Sequence, residues 1–93
     1  MEITHHQDTN KGYFRAVSDG QKTGKMTYSK AGTTKIIIDH TEVEDAFSGQ
    51  GVGKKLLYEA VAYARKENLK IIPLCPFAKA MFQKIDDIKD VLS

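Results

Sequence analysis

Four stretches in the first half of the chain alternate or cluster β-forming side chains: Glu2–Gln7, Tyr13–Ser18, Lys25–Ser29 and Thr34–Val43. The pieces between them, Asp8-Thr9-Asn10-Lys11-Gly12, Ser18-Asp19-Gly20 and Lys30-Ala31-Gly32, carry the Gly, Asn and Asp of tight turns. An antiparallel meander is the expected result. Beyond Val43 the period changes. Val52, Leu56, Leu57, Ala60, Val61 and Ala64 recur at helical spacing while Lys55, Glu59, Lys66 and Glu67 occupy other faces, which predicts one amphipathic helix ending near Asn68. Lys70–Leu74 reads as a short buried strand stopped by Pro73 and Pro76, and Phe77–Ile85 as a second helix. Asp86 is placed to cap a last helical turn through Leu92. The order β-β-β-β-α-β-α makes this an α+β chain with one mixed sheet.

Strict alternation along the fourth strand puts Ile36, Ile38, His40, Glu42 and Glu44 on one face, and Ile37, Asp39, Thr41 and Val43 on the other. On the first face isoleucine gives way to His and Glu, as where a strand leaves the core for a polar opening. A histidine there suits general-base chemistry, with a nearby carboxylate to orient it, so His40 and Glu42 are candidate bases. The other reading is a strand end with solvated polar side chains, and Glu44 fits that better.

The 93 residues make one domain, 1–93, and 41% hydrophobic with 28% charged content excludes a disordered chain. No apolar run nears the roughly 20 residues of a membrane span, and Met1-Glu2-Ile3-Thr4-His5-His6 lacks the apolar centre of a signal peptide. A cytoplasmic protein without a membrane partner is expected. The net charge of +2 is spread along the chain, which argues against a nucleic-acid partner. A single cysteine, Cys75, excludes an internal disulfide and a Cys-cluster zinc site. His5 and His6 are adjacent, so on a strand they face opposite ways; no metal site and two surface residues are expected. Tyr58 and Tyr63 are expected along the flanks of the main helix.

The densest signal for chemistry is Ser48-Gly49-Gln50-Gly51-Val52-Gly53-Lys54-Lys55, where a strand runs through alternate glycines into a helix. Glycine lets a backbone approach a ligand, and the first helical turn offers unpaired N–H groups at the positive end of its dipole. A phosphate or pyrophosphate is the expected guest. A P-loop is excluded, because Ser48 stands where the first glycine belongs and Lys55 where Ser or Thr would hold magnesium. A dinucleotide fingerprint would need glycine at position 54, and this loop follows several strands instead of opening a βαβ unit.

The arrangement resembles motif A of the GNAT superfamily of acetyl-CoA-dependent N-acetyltransferases, [RQ]-x-x-G-x-[GA] before a helix. Gly51 and Gly53 match; Val43 and Phe47 fall where the family has a strand valine and an aromatic. Ser48 replaces the Arg or Gln, and Asp45 a frequent proline. The phrases Asp39-His40-Thr41-Glu42-Val43 and Pro73-Leu74-Cys75-Pro76-Phe77 are similar to a small, single-domain branch. The resemblance implies a GNAT-like, mostly antiparallel sheet of about five strands with two to three helices. It also implies an acetyl-CoA cosubstrate and an amine acceptor that no motif identifies. The usual N-terminal helices are missing, since only Asp8–Gly12 separates the first two strands, so the acceptor side should be open or completed by another molecule.

Carried over by position, Ser48, Gly49, Gln50, Gly51, Val52, Gly53, Lys54 and Lys55 would hold the coenzyme's pyrophosphate. A backbone N–H near Val43 would polarise the thioester, and Phe82 would flank pantetheine. Phe82 also occupies the position where many members place a proton-donating Tyr, with Cys75 at an Asn position. Cys75 then has two open readings, a buried small hydrophobe or a thiol that donates the proton or accepts the acetyl group. The candidate catalytic set is Cys75, His40 and Glu42. A coenzyme A-binding module without efficient transfer is the alternative, and monomer and dimer are both compatible with the chain.

Overall fold

In the computed structural model, which describes all residues from Met1 to Ser93, the meander is present with longer strands than the pattern suggests. β1 (Glu2–Gln7), β2 (Lys11–Ser18), β3 (Gln21–Ala31) and β4 (Lys35–Val43) pair antiparallel in order, and β5 (Lys70–Pro73) joins β4 in parallel. β3 overruns its expected ends because Gln21 and Lys22 pair with Ser18 and Val17 of β2 at one end, and Lys30 and Ala31 with Ile36 and Lys35 of β4 at the other. Between β4 and β5 come a 3-10 turn over Asp45–Phe47 and helix α1 (Val52–Glu67). Helix α2 (Pro76–Lys84) follows β5, and a 3-10 segment covers Asp86–Val91. Asp86 is not the cap expected of it. Ile85 holds that position, and the Asp86 carboxylate accepts from Lys89 Nζ at 2.8 Å instead.

Both helices lie on one face of the sheet. The core there consists of Phe14, Ala16, Met26, Tyr28, Ile36 and Ile38 from the strands against Val52, Leu56, Leu57, Ala60, Val61 and Ala64 of α1. The alternate strand residues, including Tyr13, Arg15, Lys25, Thr27 and Ser29, are exposed or half-buried on a face without a helix. α1 ends as expected, with Asn68 left-handed at φ 58° and its N–H on the Ala64 and Arg65 carbonyls. No helix is long and apolar enough to cross a membrane.

His5 corrects the reading of a surface histidine. Paired with Phe14, it points to the helix face, stacks on the Phe14 ring at 4.3 Å and meets the Tyr63 ring edge-on at 4.5 Å. Its Nε2 shares a 2.6 Å hydrogen bond with the Tyr28 hydroxyl. Gly12 makes room for that arrangement, since a Cβ there would stand 2.3 Å from the Tyr28 ring. Tyr63 accordingly belongs to this cluster, whereas Tyr58 is exposed on the helix flank as expected.

Candidate active site

β4 and β5 pair only from Lys35–Lys70 to Ile38–Pro73. Pro73 has no N–H with which to continue, and the amides of Leu74 and Cys75 both close on the Ile38 carbonyl, at 3.1 and 3.2 Å, before Pro76 starts α2. β4 therefore runs on from Asp39 to Val43 paired with β3 on one side and with no strand on the other, where β5 has ended. The Glu44 N–H bonds the Thr23 carbonyl on the β3 side. By strand alternation, the backbone groups of Val43 and Thr41 face the opposite, open edge. A cleft lined by free peptide groups results.

One extra residue in β4 decides what surrounds that cleft. Thr27 pairs with His40 but Tyr28 with Ile38, so Asp39 is a bulge. Beyond it the faces exchange. Thr41, opposite Met26, turns toward the helices, while His40, opposite Thr27, and Glu42, opposite Lys25, turn to the bare face. The expected shared face of Ile36, Ile38, His40 and Glu42 is thus corrected, because a period of two holds only while no residue is inserted. Glu42 accepts from Lys22 Nζ at 2.8 Å, and that ammonium holds its carboxyl below the usual range. A carboxylate so paired is a weaker base.

Cys75 lies on the helix side of the cleft, 5% exposed. Its Sγ stands 3.4 Å from the Thr41 hydroxyl and, at the same distance, accepts the Ala78 N–H as the N-cap of α2. The three candidate catalytic residues do not converge. His40 and Glu42 share the bare face, and Cys75 sits behind β4 with Thr41. The sequence reading missed Thr41, because the contact joins segments 34 residues apart and no local pattern encodes it.

At the end of the open edge lies the glycine loop. Gly49 and Gly51 hold φ of +80° and +75°, and nothing stands within 4 Å of where either would carry a Cβ. Gly51 is the N-cap of α1 without any side-chain cap, and the Lys55 N–H makes the first helical bond to its carbonyl at 3.0 Å. The N–H groups of Val52, Gly53 and Lys54 are the orphan donors of that helix start. No acid lies in this turn, and the side chains of Lys54 and Lys55 are exposed. The loop fits an anionic group in charge, in donors and in clearance. Gly53 has a different task, since a Cβ there would come within 2.9 Å of the Phe77 ring that packs α2 on α1. Ser48 and Gln50 are exposed beside the loop, and Val52 is buried. Phe82 is 2% exposed in the core and offers packing behind the cleft rather than a surface for pantetheine.

Residues 13–91 match the family model described as GCN5-related N-acetyl-transferase. The chain belongs to this family. Among solved structures of GCN5-like chains, one from Staphylococcus aureus, determined by NMR, is 44% identical; the match covers 99% of this chain and 87% of that one, with a TM-score of 0.73. A Bacillus anthracis structure in complex with acetyl coenzyme A shares the fold at a TM-score of 0.65 and 22% identity, over 83% of this chain and 46% of that one. The curated Protein NATD1 of Xenopus tropicalis is 36% identical over 50 residues, which are 54% of this chain and 46% of that protein. The match thus spans less than half of that relative. Among GCN5-related N-acetyltransferases, this chain builds its cleft with β1 and β2 joined by a tight turn, Asp8 Oδ1 accepting the N–H groups of Asn10 and Lys11 at 2.9 Å.

Proposed function

We propose that this protein transfers the acetyl group of acetyl-CoA to an amine, with the coenzyme lying between β4 and β5 and its pyrophosphate on the first turn of α1. The observation that carries this reading is the parting of β4 from β5 beside an uncapped, glycine-led helix start. Free peptide groups at Thr41 and Val43 suit the amides of pantetheine, and the Val43 N–H would polarise the thioester carbonyl as a single oxyanion donor. The amine nitrogen then forms its bond to the carbonyl carbon, the carbon–sulfur bond breaks, and coenzyme A leaves as thiolate. The amine's surplus proton goes to water or to His40, on the bare face, and the thiolate takes a proton from water or from the Cys75 thiol beside Thr41. Phe82, buried and without a hydroxyl, has no part in that transfer.

Calorimetry with acetyl-CoA, with ATP as control, tests the coenzyme site. Wild type should bind acetyl-CoA selectively, and Gly51→Glu should lose binding through bulk and repulsion at the helix start. Absence of wild-type binding would end the transferase reading. Binding without turnover on any amine would favour the alternative, a coenzyme A-binding module, for which the missing phenol at Phe82 is the motive. Mass spectrometry separates the roles of Cys75, because an acetyl-enzyme leaves an adduct on the sulfur and proton donation does not.

A further inference from the structure

The bare face of the sheet carries a trough of about 770 Å³ that ends at the same β4 bulge. His6, Tyr13, Thr27 and His40 run across its floor on four adjacent strands, with the His6 and Tyr13 rings stacked at 4.8 Å. Beside this row Lys11 pairs with Ser29, whose hydroxyl donates to Asp39 Oδ2 at 2.8 Å. Lys11 and Asp39 both line the trough, and neither takes part in a salt bridge. Asp8, the other carboxylate of the lining, already serves backbone N–H groups of its own turn. Two strand spacings, roughly 10 Å, separate the Lys11 and Asp39 backbones, and the flexible lysine stem shortens the gap between the charges.

We infer that this trough is the acceptor site and that its acceptor is a small zwitterion, a primary amine with an anionic group a few carbon atoms away. The inference rests on the transferase reading for its chemistry and on the trough for its specificity. Asp39 takes the ammonium group at the point where the strands have parted, two residues before the free edge at Thr41, and the nitrogen yields a proton to water or to His40 of the same trough before it attacks as the neutral amine. Lys11 takes the anion. A polycation such as a polyamine would meet Lys11 and also Lys25, whose Nζ stands 4.4 Å from the Tyr13 ring centre, and is disfavoured. A carboxylate and a phosphate are equivalent partners for Lys11, and the test separates them.

The full chain is titrated by amide NMR with 4-aminobutyrate, 2-aminoethyl phosphate, butylamine and spermidine, and acetyl-CoA-dependent thiol release is measured with each. Shifts should centre on Lys11, Ser29 and Asp39 for the zwitterions, whose kcat/KM should exceed that of butylamine by at least about tenfold. The stronger of the two zwitterions identifies the anion. Lys11→Met should collapse the zwitterion-to-butylamine ratio toward one, and Asp39→Asn should raise KM for every amine. A ratio unchanged by Lys11→Met, shifts confined to another face, or spermidine as the preferred acceptor would overturn the inference. If no thiol is released with any amine, the NMR map still decides whether a zwitterion binds here, and the transferase reading falls separately.

Discussion

At Gly51 and Gly32 the backbone holds φ of +75° and +67°, and at neither position does any atom stand within 4 Å of a built Cβ. Alanine should therefore cost each about 1 kcal/mol of left-handed strain. Urea denaturation should show similar losses for Gly51→Ala and Gly32→Ala, while only Gly51→Ala weakens acetyl-CoA binding, because it disturbs the donors of the α1 start. Equal affinity for both variants would remove the loop from the coenzyme site. His5 carries a second prediction at this scale. Burial, with the charges of His6 and Lys30 added, holds its imidazole below the ordinary 6.5, and burial with the neighbouring Tyr63 pushes the Tyr28 phenol up. A histidine with a lowered folded pKa binds its proton more readily when unfolded, so its contribution is complete above 6.5 and is lost as pH falls below it. Melting at pH 7.5 and at about 5.5 should show a loss in wild type that His5→Gln largely abolishes; a pH dependence unchanged in the variant would assign it to other groups.

Among the elements, α2 depends on Cys75 for its start. The Sγ accepts the Ala78 N–H, and the buried residue packs against the same core as Ala78 and Phe82. Cys75→Ala should cost about 1–2 kcal/mol through the lost cap and the space left. Cys75→Ser restores an N-cap acceptor and should recover part of that loss, read as the difference in denaturation midpoints. Turnover lost in both variants, with acetyl-CoA affinity kept, would assign the thiol to chemistry; turnover kept in both would make Cys75 structural. The elements themselves were legible from periodicity, since α1 and α2 lie within a residue or so of their expected ends. The bulge was not. Nothing in Ile38-Asp39-His40 announces an inserted residue, because the insertion is defined by what Thr27 and Tyr28 on β3 choose as partners.

Across the whole molecule, the final 3-10 segment is held to the rest by polar ties as well as by Ile88 and Val91 in the core. Arg65 grips Asp90 with Nε at 3.0 Å and Nη2 at 2.7 Å, and the same Nη2 donates to the Asp87 carbonyl at 2.7 Å. Lys70 Nζ donates to the Asp90 carbonyl, and the Ser93 N–H closes on Ile71 beside β5. These groups are open to water, so Arg65→Met should leave the global midpoint nearly unchanged while amide exchange at Leu92 and Ser93 speeds up. Unchanged exchange would mean that the buried Ile88 and Val91 hold the segment alone.

The sequence by itself determined the strand meander, the two helices, the glycine loop and the absence of a cysteine cluster, because each follows from local period, turn residues or composition. It also placed Val43 and Ser48–Lys55 beside one another, since they are consecutive in the chain. Tertiary structure alone decided that Thr41 meets Cys75, that His40 turns away from that thiol, and that His5 is half-buried against Phe14 and Tyr63. It alone brought Lys11, Ser29 and Asp39 into one trough. All of these depend on strand register and on one inserted residue, which are settled by pairing between distant segments and by the burial of one sheet face beneath the helices.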